Sequence, residues 1–272
     1  MNDVVEIGVD EAGYGPLLGS LNLCVFATLE SFTDEIQDSK KIYKRNKINT
    51  LVNRCQYYFQ EFDSKTNFSY NEIHNCEPWH YYLNREDENI DLYSFNNQNS
   101  WVCLAALFPS EFNQFVAEGL NKAEILTKVM IKALSNIFSK LPSNHKKIEL
   151  KIDRLGGRKN YTNLLKSWGA TIHSFEEQNQ ISTYETTFFN RQVNISFQVK
   201  GDTQHHCIAA ASCFAKLHRE LNMENFNHWW LERIPSLKKT AGYYIDGKRF
   251  IEDIELYRTQ HNILLNTLER NL

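Results

Sequence analysis

The apolar and polar positions at the start of the chain follow a strand rhythm. Val4-Val5-Glu6-Ile7-Gly8-Val9 is rich in β-branched residues and stops at the polar, glycine-rich run Asp10-Glu11-Ala12-Gly13-Tyr14-Gly15-Pro16, which predicts a buried strand closed by a turn. Residues 21–29 predict a second strand, and residues 39–59, with Lys, Ile and Leu at helical spacing, a basic amphipathic helix. Residues 64–100 hold many asparagines and aromatics without a sustained period and read as a long excursion of strands and loops. Over residues 109–141 the positions Phe112, Phe115, Leu120, Ile125, Val129, Leu134 and Phe138 predict one long helix, or two joined near Gly119. Residues 147–152 alternate again and predict a strand ending at Asp153, followed by turn residues that include Gly156-Gly157. A short helix over 161–168 and a strand over 170–175 come next, an order that predicts parallel neighbours. Phe197 to Val199 leads into Lys200-Gly201-Asp202, after which Cys207, Ala210, Ala211, Phe214, Leu217 and Leu221 share one face of a long helix. Its alanines would allow close packing on a sheet. Residues 251–268 return to a helical period, so the C-terminal part reads as a small helical portion.

Composition adds bounds to this α/β pattern. With 272 residues, 42% of them hydrophobic and 13% aromatic, the chain can bury a core without disulfides or a structural metal, and one main domain is expected. Cys24, Cys55, Cys76, Cys103, Cys207 and Cys213 form no C-x-x-C pair and read as reduced thiols. No signal-peptide pattern precedes the first strand, and no apolar run approaches the roughly 18 to 20 residues that span a bilayer. A cytoplasmic location without membrane attachment is expected by elimination.

A formal charge of −3 argues against a general polyanion binder, since non-specific nucleic-acid binding draws on many Lys and Arg. Any nucleic-acid site must be a local patch. Lys40, Lys41, Lys44, Arg45 and Lys47 form one candidate, Arg154, Arg158 and Lys159 another, and Lys238, Lys239, Lys248 and Arg249 a third. The ordinary reading of each is a solvated face.

The acids carry the chemistry. Two divalent ions about 3.5 to 4 Å apart can activate water and stabilise a leaving oxygen in phosphodiester hydrolysis, given converging hard oxygen ligands. Asp10 ends the first strand, Asp153 a later one, and Asp202 stands at the start of the long helix. If the two strands are parallel neighbours, both aspartates lie at one edge of the sheet, where ligands of open α/β sheets bind. Taken singly, Asp10 and Asp153 could be turn formers and Asp202 an N-cap. Glu11 is harder to dismiss, because adjacent carboxylates at a strand end repel unless a cation or donors compensate.

The words around these acids resemble the type 2 ribonucleases H, the HII group. Residues 8–19, Gly-Val-Asp-Glu-Ala-Gly-Tyr-Gly-Pro-Leu-Leu-Gly, resemble the family's opening D-E-A-G-R-G-P motif, and Asp38-Ser39-Lys40-Lys41 its D-S-K element. Lys151-Ile152-Asp153 resembles the strand bearing the third acid. Lys200-Gly201-Asp202, with Ile208-Ala209-Ala210-Ala211-Ser212, Ala215-Lys216 and Arg219, resembles the fourth motif. The resemblance covers the flanks of the presumed catalytic region well and residues 64–147 poorly.

It implies a ribonuclease H-like fold with a mixed central sheet flanked by helices, a catalytic domain over 1–222 and a helical extension over 223–272. It also implies that Asp10, Glu11, Asp153 and Asp202 bind two ions, Mg2+ or Mn2+. The implied reaction is incision 5′ to a ribonucleotide in an RNA/DNA hybrid or a ribonucleotide-containing duplex, by a monomer. Gly13, Gly15 and Tyr243, in Ala241-Gly242-Tyr243, match the positions where the family senses the ribose 2′-hydroxyl.

Two departures stand out. Tyr14 replaces the arginine of G-R-G, removing a fixed charge and a five-donor fork. Arg154-Leu155-Gly156-Gly157-Arg158 follows the third acid, so Arg154 and Arg158 are candidate phosphate contacts. Lys40, Lys216 and Arg219 are further candidates. His205 and His206 could be metal ligands or polar surface, and Trp229-Trp230 could stack on bases or serve as core and cover. A nuclease for another structured nucleic acid, or an inactive nucleic-acid-binding homologue, are the alternatives.

Overall fold

The computed structural model describes residues 4–36, 48–62, 90–143 and 147–271. The eight strands of one mixed sheet are β1 (Val4–Ala12), β2 (Leu21–Thr28), β3 (Asp91–Asn96), β4 (Ser100–Leu107), β5 (Lys147–Asp153), β6 (Thr171–Glu177), β7 (Ile181–Phe188) and β8 (Arg191–Gln198), in the spatial order β3-β4-β2-β1-β5-β8-β7-β6. β1 runs parallel to β5 and β5 parallel to β8, while the remaining pairs are antiparallel. Among the described residues the α-helices are α1 (Ile48–Tyr58), α2 (Pro109–Ala117), α3 (Lys122–Lys140), α4 (Thr162–Ser167), α5 (His206–Arg233) and α6 (Tyr244–Gln260).

Strand alternation sorts residues onto the two faces of the sheet. Val5, Ile7 and Val9 of β1, Ile148, Leu150 and Ile152 of β5, and Val193, Ile195 and Phe197 of β8 are buried in one cluster with Phe112 of α2 and Ile125 and Val129 of α3. On the opposite face Cys24, Phe26, Val102 and Leu104 pack against Leu51 and Cys55 of α1 and Ile208, Ala211 and Phe214 of α5. A third cluster joins Leu17 and Leu18 to Phe226 and Trp230 of α5 and to Phe250 and Ile254 of α6. Residue 222, where the helical extension was expected to begin, lies inside α5.

Much of the expected order is present: β1, β2, β5 and α5 lie where the periodicity puts them, and residues 109–141 form two helices with Gly119 at φ +91° between them. Several details differ. β1 continues through Asp10 and Glu11 to Ala12, so these acids sit within a strand and not in the turn after it. The strand at 170–175 is not the parallel neighbour of β5. It becomes edge strand β6, antiparallel to β7, because the β7–β8 hairpin inserts between them. That hairpin turns at Phe189 and Asn190, both at positive φ (49° and 59°), the conformation whose twist matches the strands it joins. β4, a fully buried run, begins where the 64–100 excursion was expected to end and fills a stretch to which no element was assigned. The described part of the basic helix is α1; residues 37–47 and 63–89 lie outside the described residues.

Cys24, Cys55, Cys103, Cys207 and Cys213 are buried free thiols, and Cys76 lies outside the described residues. Among the described residues no helix is long and apolar enough to cross a membrane.

Candidate active site

The parallel pairing of β1 with β5 and of β5 with β8 stops at nearly the same level. The β1–β5 register pairs Val9 with Ile152, so Asp10 and Asp153 follow at the next position of each strand, and the β5–β8 register pairs Asp153 with Gln198. Both aspartates alternate away from the large apolar cluster and therefore face α5. After β8 the chain turns at Lys200, at φ +55°, into a one-turn 3-10 helix, Gly201–Thr203, that carries Asp202. The Gly201 amide donates to Asp153 Oδ1 at 2.8 Å, tying the third acid to the turn that holds the fourth. Asp202 is not the N-cap of α5; that position is His205, which makes no side-chain cap.

Asp10 is in an unfavourable place for an anion. Burial first, then Glu11 and Asp153, push its carboxyl well above the usual carboxylate range, while a hydrogen bond from the Ser212 hydroxyl of α5 opposes them. Ser212 is 7% exposed and reaches Asp10 because α5 lies almost on the strand. Its role was not read from the sequence, where it is the last letter of an alanine run.

Glu11, next along β1, alternates to the other face, where burial of the Tyr14 phenol, and then the Glu11 charge, raise the phenol's pKa. Among the described residues no three His, Cys, Asp or Glu side chains close around a common point as a metal cluster would require. The donor chemistry nonetheless fits a hard divalent cation. Carboxylate oxygens stand at adjacent strand ends, and the repulsion that burdens Asp10 is what a dication offsets.

Beside the acids, the glycine loop and the C-terminal tyrosine meet. Leu17 and Leu18 amides donate to the Gly242 carbonyl at 2.7 and 3.0 Å, and a Cβ on Gly242 would stand 2.5 Å from the Leu18 oxygen. Arg219, 5% exposed, donates from Nη2 to the Ala241 carbonyl at 3.1 Å, and a Cβ on Gly13 (φ +86°) would stand 2.5 Å from its Nε. Arg219 therefore lies between the Gly13-Tyr14-Gly15 and Ala241-Gly242-Tyr243 segments. Tyr243 is 61% exposed at the start of α6. Tyr14 lies partly buried against the large cluster with the Lys122 ammonium 4.3 Å above its ring. Arg270, 1% exposed, donates from Nη2 to the carbonyls of Gly13, at 2.7 Å, and Pro16. Neither Lys122 nor Arg270 was singled out in the sequence, because no motif marks them.

The other expected contacts scatter. Arg154 turns to the β6–β7 connection, its Nη1 donating to the Asn179 carbonyl at 2.8 Å, while Arg158 is exposed in the loop after β5. Lys216 pairs with Glu220 at 3.6 Å, and Lys248 and Arg249 pair with Glu269 and with Asp246 and Asp253. Lys40 lies outside the described residues, as do Lys41, Lys44, Arg45 and Lys47. His205 hydrogen-bonds Gln198 Oε1 at 2.7 Å, and His206 packs on Phe32 and Tyr58, so both are partly buried packing groups. Trp230 is fully buried and Trp229 lies under Arg233, an arrangement of core and cover.

A family model described as ribonuclease HII matches residues 120–263, more than half of the chain and including Asp153, Asp202 and Tyr243. The ribonuclease HII of Methanococcus vannielii is 22% identical over 231 residues, covering 83% of this chain and 68% of its own. Among solved structures, one of the PCNA:RNase HII complex from Archaeoglobus fulgidus is 13% identical with a TM-score of 0.48, covering 98% of this chain and 94% of that one. A structure of Bst-RNase HIII in complex with Mn2+ is 16% identical with a TM-score of 0.49, covering 99% of this chain and 67% of that one.

Proposed function

Given that the chain belongs to the ribonuclease HII family, and is thus a ribonuclease H-type nuclease of α/β, ribonuclease H-like fold, we propose that it cuts the phosphodiester 5′ to a ribonucleotide in RNA/DNA hybrids or ribonucleotide-containing duplex DNA. The observation that supports this reading is the common level at which the parallel pairing of β1, β5 and β8 stops, with Asp10, Asp153 and the Asp202 turn following there.

In this reading Asp10, Glu11, Asp153 and Asp202 hold two ions, Mg2+ or Mn2+, which supply Lewis acidity and an activated water when bound. Ser212 orients the Asp10 carboxylate, and the Gly201 amide orients that of Asp153. Gly13, Gly15 and Tyr243 meet the ribose: the glycines let the backbone come close to the 2′-hydroxyl, and the exposed Tyr243 ring lies across the sugar. Arg158 and Lys216 are further candidate contacts for the polynucleotide, with Lys40 contributing from the D-S-K element. Arg154 braces the loop after β5. The protein acts as a monomer in the cytoplasm, its catalytic part over 1–222 and its extension over 223–272 supporting the loop through Leu17 and Leu18.

The deciding assay compares an RNA/DNA hybrid, a duplex with one ribonucleotide, all-DNA and all-RNA substrates, with Mg2+ and with Mn2+, for the wild type and Asp10→Asn. Cutting of the first two by the wild type alone is expected. Cutting of another substrate in their place redirects the substrate assignment, and equal cutting by Asp10→Asn removes the carboxylates from the chemistry.

A further inference from the structure

The loop in which Tyr14 stands for arginine is surrounded by positive charge brought from elsewhere in the chain. Lys122, the first residue of α3, holds its Nζ 4.3 Å from the centroid of the Tyr14 ring. Arg270 lies behind the same loop, 1% exposed, and spends Nη2 on the Gly13 and Pro16 carbonyls while its Nε and Nη1 meet no hydrogen-bond partner. Arg219 is buried against Gly13. Among the described residues neither Lys122 nor Arg270 makes an ion pair, whereas Lys151, Lys216, Lys248 and Arg249 all do. Burial and the charge of Arg270 make the Lys122 ammonium less favourable than a free one. The Glu11 charge also reaches Tyr14, but Lys122 and Arg270 enter no ion pair with it, and two such cations at a partly desolvated place favour an anion there. Gly15, at the exposed crest, has nothing within 4 Å of where a Cβ would stand, so the approach is open.

We propose that Lys122, carried on the Tyr14 ring, is the phosphate-contacting cation of this loop, and that Arg270 is the positioning residue that fixes the loop beneath it. The inference rests on the reading of the protein as a nuclease for ribonucleotide-containing duplexes. A lysine in this place is a point charge on a flexible stem, so it holds one phosphodiester oxygen without the two-pronged geometry of a guanidinium. The Tyr14 ring supplies the face that keeps the stem from sweeping freely.

Binding can be read without cleavage, by fluorescence anisotropy of a labelled RNA/DNA hybrid in EDTA between about 50 and 200 mM salt. One phosphate contact fewer lowers the slope of log affinity on log salt by about 0.9 and weakens binding roughly three- to tenfold. Lys122→Gln is expected to show both changes and Lys122→Arg to restore the slope. Lys166→Gln, which removes an exposed lysine of α4, is expected to leave it alone. Arg270→Met should weaken binding, and should add less to Lys122→Gln than it costs alone, since both act through one loop. A wild-type slope and affinity in Lys122→Gln overturns the inference, as does an equal fall in Lys166→Gln. A wild type that binds no duplex overturns the nuclease reading along with it.

Discussion

Gly8 of β1 lies directly under the Cys207 peptide of α5: a Cβ at residue 8 would stand 2.1 Å from the Cys207 carbonyl carbon and 2.4 Å from the Ile208 nitrogen. Both obstacles are backbone, so neither can swing aside. Gly8→Ala is expected to cost about 3 kcal/mol or more, beyond the usual penalty of overpacking, because the helix itself must lift. Urea unfolding of the variant checks this; a loss under about 1 kcal/mol would show that α5 rides farther from the strand.

The same close approach puts Ser212 on Asp10, whose carboxyl is penalised by burial, Glu11 and Asp153. Asp10→Asn keeps a hydrogen-bonding group and discards the charge. Without divalent ions the variant is expected to melt about 2 to 4 °C higher than the wild type, corresponding to roughly 1 kcal/mol. Millimolar Mn2+ should raise the melting temperature of the wild type and leave the variant where it is. A melting temperature that falls on substitution, in a scan without metal, contradicts this account.

Acid should loosen the packing of α5 through a different residue. His218 is 4% exposed, its ring 5.7 Å from that of Tyr93, and burial lowers its pKa from 6.5 to about 4. The unfolded chain takes up a proton near 6.5 that the folded chain refuses until about 4. Stability is thus full above the unfolded value and falls as pH drops from 6.5 towards 4, by up to about 3 kcal/mol. In His218→Leu the unfolding free energy measured across that window should fall less steeply. Parallel curves for variant and wild type would acquit His218.

Tyr243 separates recognition from folding. Its ring is 61% exposed, so Tyr243→Phe is expected to leave the melting temperature within about 1 °C of the wild type. The hydroxyl, in the proposed reading, meets the ribose. Its removal should lower kcat/KM on a single-ribonucleotide duplex about tenfold, the size of one hydrogen bond in the transition state. An unchanged kcat/KM would move ribose sensing elsewhere in the loop.

The carboxylate edge was legible in the sequence because β1 and β5 each put apolar residues on every second position and carry an aspartate just past the last pair of their parallel register. One buried face fixes such a register. The alanines of α5 likewise announced close packing, and Gly8 beneath them shows how close. The pairing of β6 was not legible, since its local pattern says nothing about which strand arrives beside it, and the hairpin turn at Phe189-Asn190 lacks the glycine that commonly marks one. β4 escaped because a run of buried residues without alternation fits a helix as well as a central strand. At the loop, the replacement of arginine by Tyr14 is visible in one line of sequence. That Lys122 stacks on the ring and Arg270 braces the loop depends on the packing of α3 and the C-terminal segment, which no short-range pattern encodes.

Arg270 and Gly13 are separated by 257 residues, and the bridge between Leu18 and Glu269 spans nearly the same interval. Translation at roughly 5 to 20 residues per second leaves the loop waiting on the order of 10 to 50 s for its brace. The strands that carry Asp10 and Asp153 can pair well before that. A ribosome-bound chain can therefore pair the strands that carry Asp10 and Asp153 while the glycine loop still lacks its contact with Arg270, so on the proposed reading target selection would mature last.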